Sequence, residues 1–213
     1  MKRAEQLFTE AQKEKIRQAV SDAEARSSGE IVSVVIDRSG HYLQFPLTGS
    51  ILLTFLAALI GVVFRPQTTA VQLLLVELVT FWICFKIIER TDRLWAWLIP
   101  DSLMDKAVAR RAEEAFYEHR LHETQGKTGV LIFLSLLEHR VHLLADTGIH
   151  KKVPAQTWET LVQQITAGMK EGHPFEALHH AVEACGNLLA EHFPKEPGDI
   201  DELPNQLKIG DLK

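Results

Sequence analysis

Two aspartates each close an apolar segment typical of a β-strand, and their position predicts a metal site. Asp37 ends residues 30–37, and Asp146 ends a later segment, after which Gly148 allows a tight turn. Ligands bind beyond the carboxyl ends of strands in open α/β sheets, and carboxylate oxygens suit hard cations such as Ca²⁺ or Mg²⁺. Asp37 and Asp146 are therefore candidate metal ligands. The alternative is that both are turn or cap residues, positions that aspartate also favours.

A second pair of charged residues suggests either a structural tie or an anion pocket. Glu30 opens the first strand segment, and Arg110 and Arg111 lie in a downstream helical pattern. A guanidinium binds a carboxylate or an oxyanion through two parallel hydrogen bonds, so the same arginine serves either purpose. We favour the structural tie, with Glu30 and Arg111 as site candidates. The chain has no G-x-G-x-x-G or Walker phosphate loop.

The remaining reactive residue types lack a catalytic context. His119 and His122 share one helical face, but the H-E-x-x-H pattern and a third ligand at fixed spacing are missing, which favours solvated histidines over a zinc site. No G-x-S-x-G segment is present, and the Ala-Cys-Gly context of Cys185 indicates packing. The catalytic residues, if the protein is an enzyme, stay unassigned.

The elements that position these residues alternate between helical and strand patterns. Thr9 and Gln12 have the spacing of a capping box, which predicts a helix that begins at Glu10. The apolar run after Gly129 predicts two strands joined by a short turn near residues 137–140. The predicted helices span residues 10–25, 154–169 and 175–192, with another that Asp101 or Ser102 caps and that continues to about residue 121. The predicted strands lie in residues 30–37 and 130–146.

Two long apolar segments in the middle of the chain predict a transmembrane hairpin. Residues 47–64 contain no charged side chain. Residues 70–88 contain two charged side chains, those of Glu77 and Lys86. A spanning helix needs about 20 mostly apolar residues to cross a hydrocarbon core about 30 Å thick. The alternative, a pair of buried core helices, is hard to accommodate in a domain of this size.

Glu77 is the one acidic residue inside the predicted spans. An acidic side chain at this depth costs about 2.5–3.5 kcal/mol on insertion scales, so a facing partner is expected. It could serve an ion or proton site or an oligomer contact. We favour a protonated Glu77 that is hydrogen-bonded to Thr54 or another polar group of the neighbouring helix.

Charge and composition restrict the class and the location. The chain has 213 residues, 46% of them hydrophobic, a net charge of −5 and two cysteines. An acidic chain lacks the basic footprint of a nucleic-acid binder, so nucleic acid is not an expected partner. Arg38, Lys86, Arg90 and Arg93 flank the hairpin, whereas its short loop carries Arg65 alone. The positive-inside rule then places both termini in the cytoplasm, with two spans in the inner (cell) membrane.

The order of elements predicts the fold. Apolar strands of this kind need helices on both faces, which gives an α/β/α sandwich on a small mixed sheet. The first strand must join that sheet, because alone it cannot satisfy its backbone groups. We expect residues 1–46 and 89–193 to form one split soluble domain, residues 47–88 the hairpin, and residues 194–213 a polar C-terminal tail.

The soluble sequence resembles the TPM-domain family. The resemblance lies in residues 27–36 (SSGEIVSVVI), 110–116 (RRAEEAF) and 128–149 (TGVLIFLSLLEHRVHLLADTGI), and in Trp158, Gly168, Ala177 and Ala181 of the closing helices. It implies a Rossmann-like sandwich, and for some members of the family metal binding and acid phosphatase activity have been proposed. The exported members carry a signal peptide, whereas this chain places its spans inside the domain.

The resulting functional expectation is a membrane-anchored module without catalysis. We expect it to bind or assist an unknown membrane or membrane-associated protein at the cytoplasmic face, with residues 47–88 in the lipid bilayer. The alternative is a metal-dependent hydrolase of the acid-phosphatase kind that uses Ca²⁺ or Mg²⁺ held by Asp37 and Asp146.

Overall fold

A computed structural model of the chain describes residues 4–65, 67, 69–91, 99–195 and 202–210. The chain divides into two compact units. Unit one comprises Met1–Gly40 and Asp105–Lys213, and unit two is His41–Met104. The boundaries of unit two lie outside the predicted hairpin on both sides, so that unit two is an insertion between the first strand and the rest of unit one.

Unit one contains a mixed four-stranded sheet of order β3-β2-β1-β4. β1 runs parallel to β2 on one side and to β4 on the other, whereas β3 is antiparallel to β2. The first strand therefore joins the sheet, as its apolar sequence requires. The strands are β1 Glu30–Ile36, β2 Gly129–Ser135, β3 Arg140–Ala145 and β4 Lys208–Ile209.

The described residues form eight α-helices and one 3₁₀ helix, and several begin at the predicted signals. The capping box of Thr9 and Gln12 is formed, and Thr69 with Gln72 forms a second one. The helices are α1 Ala4–Leu7, α2 Glu10–Glu24, α3 Gln44–Phe64, α4 Ala70–Arg90, α5 Asp101–Glu118, the 3₁₀ helix Leu121–Glu123, α6 Thr147–His150, α7 Ala155–Lys170 and α8 Pro174–His192.

The sheet has a hydrophobic cluster on each face. Ile31 and Val35 of β1 point to the larger cluster, which also contains side chains of α2, α7 and α8. Val32 and Val34 point to the second cluster, together with Val108 and other residues of α5. Because successive strand residues face opposite sides, the uniformly apolar β1 needs helices on both faces. The predicted α/β/α sandwich is confirmed.

The C-terminal segment differs from the polar tail predicted for residues 194–213. Its described part, residues 202–210, includes β4, and Gly210 N donates to Val35 O at 3.0 Å. Leu203 packs against the second cluster, while Leu207 and Ile209 pack against the first. A two-residue strand has no periodicity to read in a sequence, which is why this fourth strand was not predicted.

Unit two contains α3 and α4, each of 21 residues, which pack side by side. Both are long and apolar enough to cross a membrane, and only 11% and 6% of their most apolar stretches are buried. Side chains such as Leu52, Phe64 and Leu74 are more than 60% exposed. Exposed apolar surface of this extent exceeds what single surface hydrophobes on soluble domains explain.

Candidate functional site

Asp37 and Asp146, the predicted cation ligands, lie at opposite ends of the sheet. Asp37 follows β1, whose last residue, Ile36, pairs with Ser135 at the end of β2. Asp146 follows the antiparallel β3 and donates its N–H to Gly129 O at the start of β2, at 2.9 Å. A strand of this length spans roughly 20 Å, at about 3.3 Å per residue. The structure does not bring the two carboxylates together, because the β2–β3 hairpin reverses the direction of the chain.

Each aspartate accepts a hydrogen bond from a backbone N–H group. Asp37 Oδ1 accepts from Ala4 N at 2.5 Å. Asp146 Oδ1 accepts from Thr147 N at 2.6 Å and from the Thr147 hydroxyl at 3.1 Å, which caps α6. These bonds fix the segment before β1 and the turn after β3.

Two buried glutamates, one on α2 and one on β1, also accept a hydrogen bond from a backbone N–H group. Glu24 Oε1 accepts from Ile31 N at 3.0 Å, and Glu30 Oε1 accepts from Glu202 N at 3.0 Å. Gln125 N donates in turn to the Glu202 carboxylate at 3.1 Å. The predicted site residue Glu30 therefore holds the C-terminal segment near the amino end of β1.

The most developed polar cluster lies at the carboxyl ends of β1 and β2. Glu138 is 2% exposed, and its Oε1 accepts from Ser39 N at 2.9 Å. Its Oε2 accepts from the Ser135 hydroxyl at 2.5 Å, and that hydroxyl accepts from the Ser39 hydroxyl at 2.8 Å. Buried polar groups need hydrogen-bond partners, and these donors supply them to both oxygens of the Glu138 side chain. We call Ser39, Ser135 and Glu138 the turn cluster.

The β2–β3 turn contacts unit one on both sides of the insertion. Ser39 is the second-last residue of unit one before unit two begins, and Asp105 is the first after it ends. Ser39 bonds to Glu138, and Asp105 Oδ1 accepts from Arg140 Nε at 2.8 Å. Glu138 and Arg140 are two residues apart, so one turn contacts both segments of unit one that border the insertion.

Arg111 forms its described ion pairs within its own helix. Its Nη1 lies 3.3 Å from Glu114 Oε2 and 3.4 Å from Glu118 Oε2 on α5. The pair with Glu114 has an i,i+3 spacing, which stabilises a helix by a few tenths of a kcal/mol. These contacts give Arg111 a local structural role.

Among the described residues, Asp37 and Asp146 do not fit a shared Ca²⁺ or Mg²⁺ site. Over the ranges that the structure describes, no three His, Cys, Asp or Glu side chains converge as possible metal ligands. Ca²⁺ takes six to eight oxygen ligands, and Mg²⁺ requires octahedral geometry. Asp146 Oδ2 is buried without a hydrogen-bond partner among the described residues, but one carboxylate oxygen is too few for either ion.

The environment of the cysteine in unit one disfavours its reactive thiolate form. Cys185 is fully buried on α8, and burial raises the pKa of its thiol to about 12. The thiolate is the reactive form of cysteine, and it is scarce at neutral pH when the pKa is this high. The packing role predicted from its Ala-Cys-Gly context is consistent with this environment.

Glu77 is half-buried on α4 and is not bonded to Thr54. The Thr54 hydroxyl donates instead to Ser50 O of its own helix at 2.8 Å, and the Ser50 hydroxyl donates to Pro46 O at 2.6 Å. Among the described residues, no hydrogen bond or ion pair of the Glu77 side chain is formed. The favoured expectation of a partner on the neighbouring helix is wrong for Thr54, because α3 satisfies this hydroxyl itself.

A polar groove lies between α2 and α8 on unit one. Lys15, Asp22 and Arg26 line it from α2, and His179 and Glu183 line it from α8. Arg26 Nη1 donates to Asn187 Oδ1 at 3.1 Å, and His179 Nδ1 lies 3.6 Å from Glu183 Oε2. Both signs of charge are therefore held in fixed positions in an open surface groove.

The turn cluster is the site that sequence reasoning missed. Glu138 lies in the predicted turn between β2 and β3, where an acidic residue is ordinarily solvated. Its burial depends on Ser39, which is 99 residues away in sequence. The available signal was the pair of serines that end or follow two parallel strands, because the carboxyl ends of such strands meet at one edge of the sheet.

Comparisons with known proteins agree with this architecture. The TPM domain model matches residues 89–188. The chain is similar to a solved structure, the NMR structure of BA42 protein from the psychrophilic bacterium Bizionia argentinensis, at a TM-score of 0.60 and 21% identity over 96% of this chain and 95% of that chain. No curated protein matches the sequence. The matched region runs from the end of α4 into α8, and this part of the chain is similar to the TPM domain.

Proposed function

We propose that this protein is a membrane-anchored TPM-domain module that binds or assists another protein at the cytoplasmic face of the cell membrane without catalysing a reaction. The observation that carries the proposal is unit two, whose helices α3 and α4 expose apolar side chains along their length. A lipid bilayer is the solvent that favours this surface, since every backbone group of a helix is bonded internally.

The chemistry of unit one supports the non-catalytic half of the proposal. Five acidic side chains of unit one, namely Glu24, Glu30, Asp37, Glu138 and Asp146, each accept from a backbone N–H. A catalytic carboxylate has to reach a substrate proton or a metal ion instead. Asp37 and Asp146 lie at opposite ends of the sheet, which favours the binding module over a phosphatase that holds Ca²⁺ or Mg²⁺ between them.

The α2–α8 groove is the binding surface that we assign to the module. Lys15 and Arg26 supply positive charge, and Asp22 and Glu183 supply negative charge, so a polar peptide segment with both signs of charge is complementary to it. Electrostatic complementarity of this kind contributes specificity and association rate more than affinity.

The orientation follows from the charges that flank the hairpin. Arg38, Lys86 and Arg90 lie beside the ends of the spans nearer the soluble sequence, and Arg65 alone lies beside the loop. We expect an impermeant maleimide added to intact cells to label Gln67→Cys in a Cys84→Ser background. The same reagent should not label Gln156→Cys in that background, and labelling of Gln156→Cys would reverse the orientation.

The binding role is tested with a photo-crosslinking amino acid in the native membrane. A crosslinker at Gln18 in the groove should give one discrete adduct with another protein, whereas a crosslinker at the exposed Thr160 of α7 should not. Equal, diffuse products from both positions would refute a specific groove. The purified full-length chain is assayed in parallel with p-nitrophenyl phosphate and Mg²⁺ or Ca²⁺. Hydrolysis that is lost in Asp146→Asn would replace the binding module by the phosphatase.

A further inference from the structure

The two edges of the four-stranded sheet differ in how well they are covered. At one edge, β4 pairs with Val34 and Val35 of β1. Further along this edge, the Ile31 N–H group donates to the buried carboxylate of Glu24 at 3.0 Å, so a strand and a side chain close it together. β3 forms the opposite edge, and among the described residues no strand lies beyond it. Every residue of β1 is buried, whereas five of the six residues of β3 are half-buried.

β3 directs backbone hydrogen-bonding groups away from the sheet. Asp146 N donates to Gly129 O of β2 at 2.9 Å, and in an antiparallel pair the hydrogen-bonded positions recur at every second residue. The N–H and C=O groups of Val141, Leu143 and Ala145 therefore point away from β2. No turn, loop or side-chain group of the described ranges bonds to them. These groups form a template for one more strand.

The sequence of β3, RVHLLA, lacks the features that ordinarily block an exposed edge. Lysine, proline and β-bulges serve this purpose in natural sheets. β3 contains neither lysine nor proline, and it pairs with β2 residue by residue without a bulge. Its arginine, Arg140, is drawn towards α5, because Arg140 Nε donates to Asp105 Oδ1 at 2.8 Å. The edge is therefore suited to pair with another apolar strand.

We propose that β3 pairs in the antiparallel direction with β3 of a second copy of this chain, with Leu143 opposite Leu143 of the second copy. In this register Val141 lies opposite Ala145 of the second copy, and Ala145 opposite its Val141. Each of these pairs then exchanges two backbone hydrogen bonds, which uses all the outward N–H and C=O groups of both edges. The contact is symmetric about a two-fold axis, so the assembly closes at two copies with one continuous sheet.

The side chains of β3 favour a second copy as the occupant, because the edge is complementary to itself. In the same register, Arg140 lies opposite Asp146 of the second copy at each end of the contact. His142 lies opposite Leu144, and the remaining pairs are apolar. Opposite charges across two strands are stabilising and like charges are destabilising, and this register places no like charges opposite each other.

The experiment measures energy transfer between copies of the full-length chain in vesicles of phosphatidylethanolamine and phosphatidylglycerol, with one dye on Gln156→Cys in a Cys84→Ser background. Leu143→Lys places two ammonium groups opposite each other and should weaken the dimer roughly fivefold or more. Leu143→Glu should weaken it for the same reason. An equal mixture of these two variants should recover the dimer, because residue 143 then faces an opposite charge. Gln163→Lys, on the exposed surface of α7, is the matched control and should change nothing.

Oxidative crosslinking tests the register independently. Leu143→Cys in a Cys84→Ser background should form a disulfide-linked dimer, because the Cα atoms of a hydrogen-bonded antiparallel pair lie about 5.5 Å apart, within the range of a disulfide. Val141→Cys should not crosslink to itself, since it faces residue 145 of the second copy. The buried Cys185 does not contribute.

Four results would overturn the inference. They are a chain that is monomeric at every protein-to-lipid ratio, a Leu143→Lys variant as dimeric as the wild type, a Lys/Glu mixture no more dimeric than either variant, and a Leu143→Cys crosslink only to a different protein. The groove between α2 and α8 involves other residues and is tested by its own crosslinker. A monomeric chain would therefore contradict the β3 dimer and leave the proposed binding module unaffected.

Discussion

Replacing Glu138 by alanine removes the acceptor of two hydrogen bonds in the turn cluster at once. The Ser39 N–H and the Ser135 hydroxyl both donate to this carboxylate, at 2.9 Å and 2.5 Å, in a site where Glu138 is 2% exposed. Water cannot replace the lost acceptor without entering the turn. We therefore expect Glu138→Ala to be among the most destabilising single substitutions outside the hydrophobic core.

The magnitude follows from the type of bond. A hydrogen bond to a charged group contributes about 1.5–3 kcal/mol, so the loss of two predicts a decrease of about 3–6 kcal/mol in the free energy of unfolding. Glu138→Gln keeps one acceptor oxygen and should cost about 1–2 kcal/mol. Glu159→Ala, an exposed substitution on α7, is the matched control and should stay within about 0.5 kcal/mol of the wild type.

Urea unfolding of the full-length chain in detergent measures these differences. Changing Trp82, Trp95 and Trp97 to phenylalanine leaves Trp158, which is 8% exposed in the larger cluster, as the reporter of unit one. The midpoint should move and the slope should not, as expected when the substitution changes stability alone. A loss of less than about 1 kcal/mol in Glu138→Ala would show that the turn cluster does not hold this edge of the sheet.

Three further predictions concern unit one. Replacing residues 41–104 by a short Gly/Ser linker should leave a water-soluble chain with one cooperative thermal transition, because the entropy cost of closing a loop depends only weakly on its length. Non-cooperative melting of this chain would contradict the prediction. Burial lowers the pKa of His142, and the charge of Glu113 opposes this shift with a smaller effect. As the pH falls, the histidine is therefore protonated in the unfolded chain before it is protonated in the folded one. The free energy of unfolding should then decrease as the pH drops below about 6.5. Urea midpoints at pH 8 and 5.5 should differ less in His142→Gln than in the wild type, and equal differences would refute this. Gly186→Ala places a Cβ 2.5 Å from Ala23 Cβ and should cost about 1–3 kcal/mol, whereas Gly61→Ala meets no atom within 4 Å and should cost nothing.

The layers of the sandwich were predictable because they follow from local patterns. The apolar strands β1 and β2 require cover on both faces, which α2, α7 and α8 supply on one face and α5 supplies on the other. Capping residues such as Thr9 fixed helix starts to within a residue. These features depend on neighbours in sequence, which is what periodicity measures.

The candidate site was less predictable, because it depends on strand direction and on distant contacts. The short turn between β2 and β3 already implied an antiparallel pair, and this places Asp146 at the edge opposite Asp37. The convergence of the two aspartates was therefore a topological error that the sequence itself could have corrected. The burial of Glu138 was different in kind, since only the folded sheet brings Ser39 to the turn.

The parallel pairing of β1 with β2 has a consequence for synthesis on the ribosome. About 90 residues separate the two strands, so at 5–20 residues per second β1 waits roughly 5–20 s for its partner. Both apolar helices emerge during that interval and precede the sheet in the order of translation. With the proposed anchoring, membrane insertion therefore comes before the closing of the domain, and a nascent chain that misses insertion carries an unpaired apolar strand together with two exposed apolar helices. Quality-control proteases should remove such a chain before it folds.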